Sequence, residues 1–144
     1  MSIYSKNVSE PWFSLMKLGI KKCEGRLNKG DFAKMKKHDK IKFINNELGF
    51  ERSFNVKITS IHNYDTFKNY LQKETLEKCL PGIETIEQGE NIYYKYYTKN
   101  NENKYKIISI RIKLLIWLDN IMIFKNFKKA HEYYKYPGTH RIGS

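Results

Sequence analysis

Two cysteines in 144 residues, Cys23 and Cys79, are too few for a disulfide framework and fit no zinc-ligand spacing. A reducing, intracellular setting, the cytoplasm, is the simplest expectation. Carboxylates are scarce too, with 15 Asp and Glu against 27 Lys and Arg and a formal net charge of +12. Apolar runs are short: the longest, Leu114 to Leu118, meets Asp119 far below the roughly 20 residues that span a bilayer. No charged-then-apolar leader is present, so neither secretion nor membrane insertion is expected. The chain also lacks a Gly-rich phosphate loop, H-E-x-x-H and G-x-S-x-G. No metal and no cofactor are expected. His38, His62, His131 and His140 are scattered, and an acid/base pair among them would depend on proximity that sequence does not reveal.

What is abundant is positive charge, and it is uneven. Residues 1–63 carry a net +7, residues 64–104 a net −1 and residues 105–144 a net +6. Such regional excess favours an anionic partner, nucleic acid first and an acidic membrane surface second, although a lysine-rich solvated surface has the same composition. The length suits one domain with its own core.

The clearest strand signal is a pair. Ile41 and Phe43 alternate with Lys42, residues 45–49 form a hairpin loop, and Phe54, Val56 and Ile58 alternate with polar residues on the way back. Before it, residues 9–18 read as a short helix with Ser9 as N-cap and Gly19 as its left-handed stop. After it, residues 65–71 have amphipathic spacing with Asp65 as a cap. A helix follows from about Thr85 to Tyr97, stopped by Asn100–Asn103. Residues 105–112 alternate as a buried closing strand. Beyond residue 116 the chain is aromatic and basic, with a helix expected from about Phe124 to Lys135.

The chemistry concentrates in Gly19-Ile20-Lys21-Lys22-Cys23-Glu24-Gly25-Arg26, which fits G-x-K-x-x-E-x-R. Lys21 emerges just past a helix C-terminus, and an extended segment places Glu24 and Arg26 on one face. Lys21 can hold a phosphate or, if it loses its proton, act as base or nucleophile. Glu24 can accept a base amino group, and Arg26 offers a planar fork. The same residues also fit a plain Glu24–Arg26 pair, stabilising by at most about 1 kcal/mol if exposed. A second cluster, Tyr93, Tyr94, Tyr96 and Tyr97 with Lys95 and Lys99, has the make-up of a base-stacking surface, with some of these rings packing in the core. Tyr94 and Lys95 are the contacts expected there.

This motif between a first helix and a strand resembles the ASCH domain, a branch of the PUA-like superfamily. Lys36 to Phe43 is similar to the family's basic segment followed by G-D-x-I-x-F, with His38 where glycine is usual. Leu80 to Tyr97 and Ile107 to Ile112 look like its late helix and closing strand. The resemblance spans roughly residues 3–115. It implies an α+β fold, a PUA-like mixed β-barrel with peripheral helices over residues 1–116, followed by a basic, aromatic extension over residues 117–144 that suits a protein partner. It further implies binding of RNA, or of a modified nucleotide in RNA, in a cleft at the barrel mouth through Lys21, Lys22, Glu24 and Arg26. The alternative is a hydrolase in which Lys21 and Glu24 are catalytic. One bacterial branch removes acetyl from N4-acetylcytidine with a lysine, a threonine and a glutamate, and some members are described as ribonucleases. Here the lysine matches Lys21, the threonine position holds Glu24, and Glu84 is the nearest carboxylate to stand for the glutamate. Whether the protein is an enzyme is left open by its sequence.

Overall fold

Alternation of apolar and polar residues builds the sheet on which everything else is placed. The computed structural model describes residues 2–115. Strand β3 (Lys40–Asn45) pairs antiparallel with β4 (Arg52–Tyr64), setting Ile41 opposite Val56 and Phe43 opposite Phe54. At 13 residues β4 is long enough to serve two neighbours: its first part pairs with β3 and its later part with β5 (Ile107–Leu114). A register shift between Ile58 and Ser60 bends it at the handover. Strand β1 (Ile3–Asn7) runs parallel to β3, and β2 (Cys23–Leu27) antiparallel to β5, so the sheet order is β1-β3-β4-β5-β2.

The expected α+β, PUA-like fold is borne out as a five-stranded, curled half-barrel. Its two edge strands are not laddered together; Arg26 on β2 reaches across instead, its Nη2 donating to the carbonyl of Asn7 on β1 at 2.8 Å. One apolar cluster fills the curl, from Phe13 and Met16 of α1 (Trp12–Lys17) to Ile41, Phe43, Phe54, Val56 and Ile110. A second joins Cys23 and Leu27 to the helices inserted between β4 and β5: α3 (Phe67–Glu74), α4 (Leu76–Cys79), α5 (Ile86–Tyr94) and α6 (Lys99–Tyr105). A short α2 (Asp31–Lys34) sits between β2 and β3. Trp12 packs against both clusters. Each large side chain fully buried here is worth about 1.5–3 kcal/mol.

Several boundaries differ from the sequence reading: α5 ends at Tyr94 rather than Tyr97, and β5 begins at Ile107 because Tyr105 still belongs to α6. Helix α1 starts at Trp12 without a side-chain cap from Ser9, because the Glu10 carboxylate takes the Ser14 N–H and hydroxyl instead. The cap of α3 is Thr66, which accepts from Asn69 N at 3.0 Å, rather than Asp65. Asn100–Asn103 does not stop a helix but lies inside α6, which Thr98 caps through Asn101 N and buried Glu102 pins from within. Glu102 accepts from Phe67 N and from the Tyr94 hydroxyl, each at 2.8 Å, and this tertiary anchoring outweighs the turn preference of asparagine. The expected extension and its helix over Phe124–Lys135 lie outside the described residues.

Candidate functional site

Two residues past the end of helix α1, Gly19 takes the left-handed region (φ 76°), and the next two amides, of Ile20 and Lys21, both donate to the carbonyl of Leu15. That wrap turns the chain inward. Lys21 is thereby buried, only 2% exposed, beside the start of β2. Its ammonium donates to the carbonyls of Cys23 and Cys79, lies 3.4 Å from Glu24 Oε1 and faces the Trp12 ring at 5.9 Å. It thus ties β2 to α4 from inside.

Glu24 and Arg26 leave β2 on one face, as the alternation requires. Arg26 Nε and Nη2 donate to Glu24 Oε2 at 3.2 and 3.1 Å, and the guanidinium lies over the Phe32 ring at 5.1 Å. Burial alone pushes the Glu24 carboxyl up, but the charges of Lys21 and Arg26, with the bonds from Arg26, outweigh it and hold Glu24 below the usual carboxylate range. The site therefore presents an ionised carboxylate between two cations. Its Oε1 accepts no hydrogen bond closer than the Lys21 contact among the described residues.

These three residues line a cleft of about 280 Å³, close to the lower bound of roughly 300 Å³ for ligand pockets. Its walls are aromatic. Trp12, Tyr93, Tyr96 and Tyr97 all line it, together with Asn7, Val8 and Ser9. Tyr96 is 63% exposed at the lip, and its hydroxyl meets Ser9 Oγ at 3.3 Å across the opening. Tyr97 stacks on Phe67 with ring centroids 5.5 Å apart. Behind the cleft Gly25 is pressed against Tyr70: a Cβ there would stand 2.5 Å from Tyr70 Cζ, so the motif tolerates no side chain at that position while the ring stays in place.

The sequence profile of the ASCH domain matches residues 7–116, which include every residue lining the cleft. The chain belongs to the ASCH domain family. Solved structures similar to it include those of two proteins. The crystal structure of the hypothetical protein PH0355 is 33% identical with a TM-score of 0.71, over 78% of this chain and 99% of that one. The solution structure of protein PF0455 from Pyrococcus furiosus is 34% identical with a TM-score of 0.64, over 78% of this chain and 97% of that one. No curated protein sequence matches the chain.

Within this ASCH domain the expected site residues divide. Lys21, Glu24 and Arg26 converge on the cleft; Lys22, Tyr94 and Lys95 do not line it. Lys22 points out beside Gly19 and Lys78, Tyr94 turns away to Glu102, and Lys95 is exposed at the end of α5. Glu84 is exposed ahead of α5 and does not line the cleft either, so of the lysine, threonine and glutamate set only the lysine has a counterpart there. Trp12 and the Asn7–Ser9 rim were not foreseen. The helical spacing of Tyr93, Tyr96 and Tyr97 (i, i+3, i+4) was the available signal that these rings, rather than Tyr94, share a face. No cluster of three or more His, Cys, Asp and Glu arranged to hold a metal occurs among the described residues. No helix among them is long and apolar enough to cross a membrane.

Proposed function

We propose that this ASCH domain binds single-stranded RNA by taking one base, or one modified base, into the aromatic cleft. The observation that carries this is Glu24: an ionised acceptor held between Lys21 and Arg26 at the base of a cleft walled by Trp12, Tyr96 and Tyr97. Aromatic walls accept the faces of an unstacked base, and the carboxylate accepts its exocyclic amino group. The uneven positive charge supplies attraction for the backbone. The hydrolase alternative needs Lys21 with a lone pair directed at a substrate. Its nitrogen is instead engaged by two carbonyl oxygens and faces Glu24, which favours binding over turnover.

Fluorescence titration of a labelled, random-sequence single-stranded RNA tests the reading. Binding is expected at low salt and should weaken with a slope of about −0.7 per phosphate contacted. Tyr96→Ala, at an exposed lip position, should cost about 1–3 kcal/mol of binding with no change in melting temperature. Absence of affinity at low salt, or a Tyr96→Ala variant that binds like the parent, refutes it. Incubation with N4-acetylcytidine should release no cytidine by mass spectrometry; robust release would put the hydrolase in its place.

A further inference from the structure

Beside the cleft lies a second hollow, of about 310 Å³, and the two share Arg26 and Tyr97 as a common ridge. Its other walls include Lys6, Lys29, Asp31 and Phe32. The cations converge there. Lys6 Nζ and the Arg26 guanidinium both lie over the Phe32 ring, at 5.2 and 5.1 Å. Lys29 lies 5.1 Å from the ring centroid of Tyr105, which does not line the hollow and which Lys104 approaches at the same distance, so the two charges are within about one Debye length at 0.1 M salt. Two carboxylates offset part of this: Glu24 on Arg26 and Asp31 on Lys6, at 2.8 Å. Lys29 makes no ion pair among the described residues.

A further hollow meets the cleft at the Asn7–Ser9 rim, where Arg26 Nη2 donates to the Asn7 carbonyl. Its walls include Asn45, Asn46 and Glu47 and no lysine or arginine, although the Arg52 guanidinium donates to Asn45 Oδ1 at 2.8 Å. A polyanion leaving the cleft over Arg26 and Tyr97 therefore meets Lys6 and Lys29, whereas at the Asn7–Ser9 rim no lysine lines the neighbouring hollow.

Resting on the reading above, we propose that the ligand is an internal nucleotide of an RNA strand: its base enters the aromatic cleft, and the backbone leaves over the Arg26–Tyr97 ridge so that the flanking phosphate and the next sugar occupy the hollow at Lys6 and Lys29. The hollow is as roomy as the cleft and opens beyond what one terminal phosphate fills, so a strand, rather than a free mononucleotide, matches the pair of volumes. Asp31 is the element that opposes the phosphate, and it holds Lys6 only through an exposed contact.

Affinities of the full chain for a random-sequence single-stranded RNA 9-mer, measured across a salt series, test this with three variants. Lys6→Gln/Lys29→Gln should lower affinity about tenfold and make the salt slope shallower by about 1.4, the release expected for two phosphates. Lys57→Gln/Lys113→Gln removes the same charge from a cross-strand pair that lines neither hollow, and should have a markedly smaller effect. Asp31→Asn should tighten binding about two- to fivefold by releasing Lys6, a gain that misfolding does not produce. If the parent binds RNA in a Tyr96-dependent way but the two lysine pairs behave alike, or Asp31→Asn fails to tighten binding, the phosphate assignment is wrong and the cleft reading stands. If the parent does not bind the 9-mer, or binds it independently of Tyr96, both fall together.

Discussion

Lys21 is the residue on which the competing readings of the motif meet. A lysine read only by its neighbours in sequence is free to be a base, a nucleophile or a phosphate contact. In the fold it is a buried clamp whose nitrogen joins the carbonyls of Cys23 and Cys79 and balances Glu24. Lys21→Met should therefore unfold the domain more easily, by about 3–5 kcal/mol in urea denaturation, since it strands Glu24 with one cation and leaves two buried carbonyls without a donor. A variant as stable as the parent would show that the clamp is dispensable. Loss of any activity in such a variant is consequently no proof of catalysis. His38 carries a similar lesson: it occupies the place of a usual family glycine and adopts φ 78°, the left-handed conformation for which glycine is suited.

At the scale of elements, the helical insertion depends on side chains reaching between helices. Helix α5 is well announced locally, since Thr85 and Gln88 form a reciprocal capping box. Gly89 within it, a weak helix former, is there because a Cβ would come within 2.7 Å of Leu71 Cδ1. Helix α6 has no such local support beyond its Thr98 cap and relies on Glu102. Glu102→Ala should cost about 2–4 kcal/mol, as it leaves the Phe67 amide and the Tyr94 hydroxyl without their buried acceptor. Thermal melts and amide exchange at α3 and α6 read this out, and unchanged protection there would contradict it.

For the molecule as a whole, buried carboxylates set the acid limit. Burial raises both Glu24 and Glu74, but Lys21 and Arg26 around the first, and Arg111 and Tyr64 bonded to the second, bring both below the ordinary value of 4.5. A carboxyl lowered in the folded state contributes stability that is present above its unfolded value and lost as pH falls through the folded one. The melting temperature should thus be insensitive to these groups above pH 4.5 and drop below it, with a shallower drop in Glu74→Gln. A melting temperature that holds from pH 6 down to pH 3 would contradict this. The Arg111–Glu74 contact at 2.8 Å also joins β5 to α3, so the same titration loosens the insertion from the sheet.

Periodicity and the eight-residue motif determined much by themselves. Alternation of period two encodes strands β3 and β4 because one face of each must leave water, while β5 begins with four buried residues in a row; alternation also places Glu24 and Arg26 side by side before any contact is known. Composition likewise set the sign of the charge. The tertiary structure decided the rest, because it depended on segments distant in sequence meeting in space. Trp12 and Tyr96 are far apart along the chain yet wall one cleft, Asn7 and Arg26 join the sheet edges, and Lys6 and Lys29 come to share one hollow with Arg26. Burial, too, is a property of the fold: the same Lys21 that sequence leaves free is enclosed by the nearby Cys23 carbonyl and by the Cys79 carbonyl, which only the packing of α4 against β2 brings to it.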